Sequence, residues 1–200
     1  MAKYEKNVYI AMLAEQCSRF EEMIEYLEDM LNARDKDLTS DERNLLSIAY
    51  KNSVSSRRTA LRTIMAYEMK EKKKENSSFL PFIQEYKKKV EQELTKMCQN
   101  VISTIDNRLL KKAVDAEAKV FYLKMKGDYF RYIAEYISGE EKQKSVEGAL
   151  DAYNRATEEA RELSKIHPIS LGLTLNLSVF YYEIMNNQEQ AIRIAKDTLD

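Results

Sequence analysis

A charged stripe on one predicted helix is the feature of this sequence best suited to chemistry. Within residues 118–136 (AKVFYLKMKGDYFRYIAEY), helical spacing of about 100° per residue places four side chains on one narrow stripe: Lys124, Asp128, Arg131 and Glu135. Almost all other side chains in the segment are apolar or aromatic, which is typical of a helix packed over most of its circumference. The two cations stack above one another, and the aspartate between them can brace both. We therefore expect the stripe to stay accessible, to face a groove and to recognise an anion.

A second predicted helix repeats this arrangement of cations. Thr39 followed by Glu42 predicts a capping box, and therefore a long helix that continues to the basic run at residues 70–74. On that helix, Lys51 and Arg58 are also seven residues apart. Such a pair alone often marks a hydrated face, but its match with the first stripe favours one anion site shared by two helices.

The composition predicts long helices and limits the kinds of partner. Among 200 residues there are only four Gly and two Pro, so few residues interrupt helices. The chain carries 32 basic and 33 acidic residues, a formal net charge of −1, so it has no overall attraction for nucleic acid or for an anionic membrane. The basic run at residues 70–74 lacks interleaved aromatic residues and is interpreted as a hydrated helix end.

The residues that nucleophilic catalysis and metal binding require are scarce. Cys17 and Cys98 are too few for a disulfide framework or a zinc site, and they indicate a reducing compartment. The single histidine, His167, precedes Pro168 and is interpreted as the residue before a helix with proline at its first position. No nucleotide-binding loop, secretory signal or apolar run of about 18 residues is present. We expect a soluble intracellular protein without a cofactor or a metal.

The apolar segment at residues 169–185 predicts the wall of a groove. Leu175 and Val179 share one helix face, and Asn176 and Glu183 lie at its edge. An apolar wall edged with an amide and a carboxylate, placed opposite the cationic stripe, suits an extended peptide. The alternative interpretation is a buried core helix with incidental polar residues.

The remaining segments complete an all-α prediction of stacked antiparallel helices. Tyr4–Cys17 and Phe20–Leu31, joined by a tight connection, predict a hairpin whose apolar residues belong either to the core or to a dimer interface. Further helices are predicted over Phe79–Leu110, with Pro81 in the first turn, Ser145–Ile166 after a polar connection, Ile169–Met185 and Gln188–Leu199.

Four segments together resemble the 14-3-3 proteins. They are LAEQCSRFEEM (13–23), RNLLSIAYKN (43–52), VFYLKMKGDYFRYIAE (120–135) and SLGLTLNLSVFYYEI (170–184). The resemblance implies an all-α fold of nine antiparallel helices, a dimer, and binding of phosphoserine or phosphothreonine peptides in an amphipathic groove. It implies one domain over residues 1–200, with a dimerisation hairpin at 1–34 and groove-forming helices at 40–200. Because the chain stops at Asp200, eight of the nine helices are expected.

The resemblance also implies roles for individual residues. The phosphate would be bound by Lys51, Arg58, Arg131 and the hydroxyl of Tyr132. The peptide groove would be formed by Lys124, Leu175, Asn176, Val179 and Glu183. The dimer interface would include Leu13, Cys17, Arg19, Glu22, Tyr86, Lys89 and Glu93, with Arg19–Glu93 and Glu22–Lys89 as candidate pairs across the two subunits.

These expectations predict a non-enzymatic adaptor in the cytoplasm, and also in the nucleus. Its partners would be phosphorylated client proteins and a second subunit, either identical or another family member. Two other functions compete with this one. A phosphatase would use the same cations and would turn over a phosphopeptide, but it needs a nucleophile or a metal site. A phosphorylation-independent helical scaffold with a degenerate groove would bind phosphorylated and unphosphorylated peptides equally.

Overall fold

The computed structural model describes residues 3–74 and 77–197, which are mostly helical. No strand occurs within those ranges, and the predicted all-α class is confirmed. The helices are α1 (Lys3–Gln16), α2 (Phe20–Asn32), α3 (Ser40–Lys72), α4 (Leu80–Thr104), α5 (Ala116–Ala134), α6 (Gly139–Glu159), α7 (Pro168–Glu183) and α8 (Gln188–Lys196).

The chain forms two compact units. The first contains the chain up to Asp35 together with Thr39–Met97, and the second contains Lys36–Leu38 together with the chain from Cys98 onward. The first unit therefore holds α1, α2, α3 and most of α4. The second holds α5 to α8, including the charged stripe and the apolar segment of the sequence analysis.

In the first unit, the N-terminal hairpin and the start of α3 form as predicted. Residues 17–19 connect α1 and α2, and Ser18 there adopts the left-handed conformation, with φ of 57°. The side chain of Thr39 accepts a hydrogen bond from the backbone N–H of Glu42 at 3.3 Å, and the Glu42 carboxylate accepts one from the Thr39 N–H at 2.8 Å. This confirms the capping box, which satisfies two backbone donors at the start of a 33-residue helix.

A buried carboxylate connects α3 to α4. Glu68, which is 6% exposed, lies 2.7 Å from Lys72 Nζ on its own helix and 3.0 Å from Lys87 Nζ on α4. Gln84 on α4 also donates to it at 3.4 Å. The hydrogen bonds from Lys72 and Lys87 lower the pKa of Glu68 from 4.5 to about 2, so the carboxylate is ionised at neutral pH.

In the second unit, α5 and α6 approach closely at two glycines. A Cβ atom at Gly127 would lie 2.7 Å from ring carbons of Tyr153, and one at Gly148 would lie 2.8 Å from the ring of Phe130. Each helix therefore contributes a glycine against which the other places an aromatic ring. The core around this contact is completed by buried apolar residues of three helices: Val120, Leu123, Ala149, Ala156, Leu173, Leu177 and Phe180.

Two predicted helices have wrong boundaries. The helix predicted to reach Leu110 leaves α-geometry at Thr104 and continues as a π-helical turn, Ile105–Leu109, a change that apolar periodicity does not report. The helix predicted over Ser145–Ile166 begins earlier, at Gly139, and its α-helical part ends at Glu159 before a short 3-10 turn. The polar stretch read as a connection consists mainly of Glu, Lys and Gln, which are good helix formers.

The last two helices begin where the sequence predicts. His167 precedes α7, its Nδ1 accepts a hydrogen bond from the Ile169 N–H at 3.3 Å, and Pro168 occupies the first turn. Asn187 caps α8 by accepting from the Gln190 N–H at 3.0 Å. The predicted end of this helix at Leu199 lies outside the described residues.

Candidate functional site

The carboxylate of Asp128 is the centre of a polar network in the second unit. One oxygen, Oδ2, lies 3.0 Å from Lys124 Nζ. The other, Oδ1, accepts from the Tyr153 hydroxyl at 2.6 Å and from the Asn176 amide at 2.7 Å. Asp128 is only 7% exposed, so these donors replace the water that burial removes. The network joins α5, α6 and α7, and the predicted bracing of Lys124 by Asp128 is confirmed.

The guanidinium of Arg131 is held on several sides. Its Nε donates to the Tyr153 hydroxyl at 3.3 Å, and the guanidinium lies 4.8 Å from the ring centroid of Tyr132. Its terminal nitrogens are 3.7 Å from Asp128 Oδ1 and 3.6 Å from Glu135 Oε1. These two distances are ion-pair distances, longer than a hydrogen bond. A cation fixed in this way loses little further freedom when it binds an anion.

The electrostatics of the cluster keep Tyr153 protonated and Arg131 charged near neutral pH. Burial and the charge of Asp128 raise the pKa of the Tyr153 hydroxyl far above its ordinary value, so Tyr153 stays protonated. Burial alone would lower the pKa of Arg131, but its neighbours Tyr153 and Asp128 outweigh burial and raise that pKa. Arg131 therefore remains a cation although it is 6% exposed.

The prediction of an accessible stripe is wrong for its two central residues. Asp128 and Arg131 are buried, whereas the side chains of Lys124 and Glu135 keep 20% and 18% of their surface exposed. The spacing of residues on α5 shows only which of its own side chains share a face. The Tyr153 hydroxyl of α6 and the Asn176 amide of α7 add hydrogen bonds that help to cover this stripe.

The predicted groove wall on α7 adjoins this network. Leu175 is 62% exposed, Val179 is partly buried and Glu183 is exposed. Asn176, one position after Leu175, donates to Asp128, so the amide edge of the wall meets the charged stripe of α5. The exposed Leu175 excludes the alternative of a fully buried core helix. Whether this wall holds a peptide stays a prediction.

The predicted cations of α3 lie in the first unit. Lys51 is exposed and Arg58 is partly buried. Their spacing places both on one face of the helix, about 10 Å apart along its axis. The neighbouring Arg57 is used within the unit, because it bonds to Glu21 at 2.7 Å and lies 4.0 Å from Glu93. A site shared by Lys51, Arg58 and Arg131 stays a prediction.

The residues predicted for the dimer interface present apolar surface on the first unit. Leu13 on α1 is 50% exposed and Tyr86 on α4 is 57% exposed. Cys17 and Lys89 are also exposed. Other large apolar side chains that are at least 49% exposed on the same two helices, or just before α4, are Tyr9, Met12, Phe79 and Phe82.

Three of the four charged residues predicted to pair across subunits have contacts within this chain. Arg19 bonds to Glu22 of the same chain, and Glu93 is near Arg57. The bond between Arg19 and Glu22 would therefore have to break before the predicted pairs Arg19–Glu93 and Glu22–Lys89 could form across the subunits.

A separate cavity of about 460 Å³ lies between α6, α7 and α8. It contacts α7 through Leu173 and Leu177, which helical spacing places on the opposite face from Leu175 and Val179. This cavity is therefore distinct from the predicted peptide groove. Within the described residues, no group of three or more His, Cys, Asp or Glu is arranged to hold a metal, and no helix combines the length and apolar character that crossing a bilayer requires.

Comparison with known proteins identifies the family. A family model described as "14-3-3 protein" matches residues 10–200. This chain is a member of the 14-3-3 family. It is 47% identical to 14-3-3 protein 6 of Solanum lycopersicum over 98% of this chain and 77% of that protein. It is 48% identical to the 14-3-3-like protein GF14 phi of Arabidopsis thaliana, over 98% of this chain and 74% of the relative. It is also 48% identical to a 14-3-3 protein homolog of Trichoderma harzianum, over 98% of this chain and 75% of that protein.

The family result confirms the resemblance that the four sequence segments predicted. Membership in the 14-3-3 family supports a general role as a phosphopeptide-binding adaptor with protein partners, and the family is one of non-enzymatic adaptors.

Sequence reasoning missed the part that Tyr153 plays. The sequence pattern marks Tyr153 only as an inward-facing residue of its helix, because its ring follows the apolar periodicity. Its hydrogen-bond partners lie 22 and 25 residues earlier in the chain, on α5. No signal within its own helix identifies a hydroxyl that contacts both an arginine and a carboxylate.

Proposed function

We propose that this 14-3-3 protein binds phosphoserine or phosphothreonine peptides through Lys51, Arg58, Arg131 and the hydroxyl of Tyr132. The observation that supports it most is the fixed guanidinium of Arg131. Its Nε is bonded to Tyr153, while its terminal nitrogens lie 3.6 Å or more from the nearby carboxylates. The guanidinium presents these terminal donors as a planar fork, which can bond to two oxygens of one phosphate.

The affinity expected from such a site is sufficient for a transient client. Each hydrogen bond to a charged group contributes roughly 1.5 to 3 kcal/mol net. Three or four such bonds could therefore account for much of a micromolar affinity, about 8 kcal/mol. The exposed Leu175 and the edge residue Asn176 would bind the peptide beside its phosphate.

The protein would act as a dimer without performing chemistry. The exposed apolar side chains of α1 and α4, which include Leu13 and Tyr86, would be buried against a second subunit, identical or from another family member. Two sites on one dimer would bind two phosphorylated segments of one client and gain effective concentration, or would bridge two clients. The second subunit would bury apolar area, and the exposed charge pairs would add little.

One titration tests this function. The protein is titrated by fluorescence polarisation into a labelled phosphoserine peptide and, in parallel, into the same peptide without phosphate. We expect micromolar binding of the first and no measurable binding of the second. Equal affinity for both peptides would instead support a phosphorylation-independent scaffold, and release of inorganic phosphate would support a phosphatase.

A further inference from the structure

The hydroxyl of Tyr153 is placed to control the donors of Arg131. We infer that Tyr153 is a positioning residue for phosphate recognition. Its hydroxyl accepts a hydrogen bond from Arg131 Nε and donates one to Asp128 Oδ1. The two terminal nitrogens of Arg131 therefore stay available to an anion. This inference rests on the proposed function, in which that anion is the phosphate of a client peptide.

The side chain of Tyr153 is held by packing on two sides. The residue is 0% exposed and its ring lies against Gly127, where not even a Cβ atom would fit. On another side the ring packs on Phe180, with 5.6 Å between the ring centroids. The position of the hydroxyl is therefore set by the packing of α5, α6 and α7.

The donor and acceptor roles in the two hydrogen bonds of the Tyr153 hydroxyl are fixed by its partners. A guanidinium can only donate and an ionised carboxylate can only accept, whereas a hydroxyl has one proton and two lone pairs. Arg131 Nε–H therefore donates to the Tyr153 oxygen at 3.3 Å, and the Tyr153 proton is donated to Asp128 at 2.6 Å. The hydroxyl connects the cation to the carboxylate while it keeps them from bonding directly.

Without this hydroxyl, Asp128 would attract the terminal donors of Arg131. Its Oδ1 lies 3.7 Å from a terminal nitrogen of Arg131, less than 1 Å beyond an ordinary charge-assisted hydrogen bond. Loss of the Tyr153 hydroxyl removes one competitor for this oxygen and also removes the bond that holds Nε. The guanidinium would then turn towards Asp128, and its terminal donors would be used internally instead of by phosphate.

The experiment compares two tyrosine variants of the same unit. Tyr153→Phe removes the hydroxyl and keeps the ring. Tyr122→Phe is the matched control, because Tyr122 is also 0% exposed and donates its hydroxyl to a carboxylate, that of Asp37, at 2.9 Å. We expect the affinity for the phosphoserine peptide to fall on the order of tenfold in Tyr153→Phe, the effect of one lost bond to a charged group, and to be unchanged in Tyr122→Phe. Unchanged affinity in Tyr153→Phe, or an equal loss in both variants, would overturn the inference.

A spectroscopic measurement separates this inference from the proposed function. The Nε–H resonance of Arg131 is assigned as the signal that is absent from an Arg131→Lys sample, and it is recorded without peptide. We expect it to shift and to exchange faster with solvent in Tyr153→Phe but not in Tyr122→Phe. An unshifted signal in Tyr153→Phe contradicts the positioning role whatever the peptide binding shows. If the wild-type protein does not prefer the phosphorylated peptide, the proposed function is contradicted. The Nε–H resonance of Arg131 still tests the hydrogen bond to Tyr153 in that case.

Discussion

Gly127 on α5 lies so close to the ring of Tyr153 on α6 that a Cβ atom at residue 127 would be 2.7 Å from two ring carbons. Because such a distance requires the ring or the helix to shift, Gly127→Ala is expected to lower the free energy of unfolding by about 1 to 3 kcal/mol. Chemical denaturation measures the change. Gly172→Ala is the control, since its new Cβ would meet only Lys124 Cε, at 3.4 Å. Alanine is the better helix former, so the control should be neutral or slightly stabilising. Equal destabilisation by both substitutions would show that the contact with Tyr153 is not the cause.

Lys51 is exposed on α3, so its charge can be reversed without disturbing a core. Lys51→Glu removes one proposed phosphate ligand and places a carboxylate there, so the affinity for the phosphoserine peptide should fall at least about tenfold. The melting temperature should stay unchanged. Lys144→Glu makes the same change of charge at an exposed position of α6 and should leave binding intact. A similar loss in the two variants would indicate a general effect of net charge and would contradict the assignment of Lys51.

The all-α fold was predictable because its local signals agree with one another. The Thr39 capping box and Pro168 after His167 each specify a helix start, and the structure contains both. The wrong boundaries lie where apolar periodicity does not mark the change. At Ile105 a helix alters its hydrogen-bond register, and at Gly139 a polar segment is helical although it lacks an apolar face.

The candidate site was only partly predictable, for a related reason. The spacing within one helix correctly predicts the contacts of Asp128 with Lys124 and with Arg131, because positions three and four residues apart are neighbours on a helix. The burial of Asp128 and Arg131 was not predictable in this way. It depends on Tyr153 and Asn176, which other helices bring to the stripe, and the periodicity of one helix contains no information on them.

Glu68 should make the stability of the protein depend on pH. Its folded-state pKa is about 2, below its ordinary value of 4.5, so the ionised carboxylate stabilises the folded chain above pH 4.5. This contribution should disappear as the pH falls from 4.5 towards 2. Glu68→Gln should therefore lower the free energy of unfolding at pH 7 by roughly 1 to 2 kcal/mol, because Lys87 loses its buried partner.

The measurement for Glu68 is urea denaturation of wild type and variant at several pH values. The difference between the two should be largest near neutral pH and should shrink below pH 4.5. Glu162→Gln, at an exposed glutamate after α6, is the control and should follow the wild type throughout. A difference that stays constant down to pH 2 would mean that the charge of Glu68 is not responsible.

Leu13 provides a test of the proposed dimer. It is 50% exposed on α1, so in a monomer an aspartate there should cost little stability. In a dimer that buries this face, Leu13→Asp would place an unpaired charge in apolar surroundings, which opposes association. Sedimentation velocity should show wild type with the mass of two chains and Leu13→Asp shifted to one chain at micromolar concentration.

Val114→Asp changes an apolar side chain that is 82% exposed, outside the predicted interface, and should remain a dimer. Dissociation by both variants would indicate a general effect of added charge, and a dimer that persists in Leu13→Asp would place the interface elsewhere.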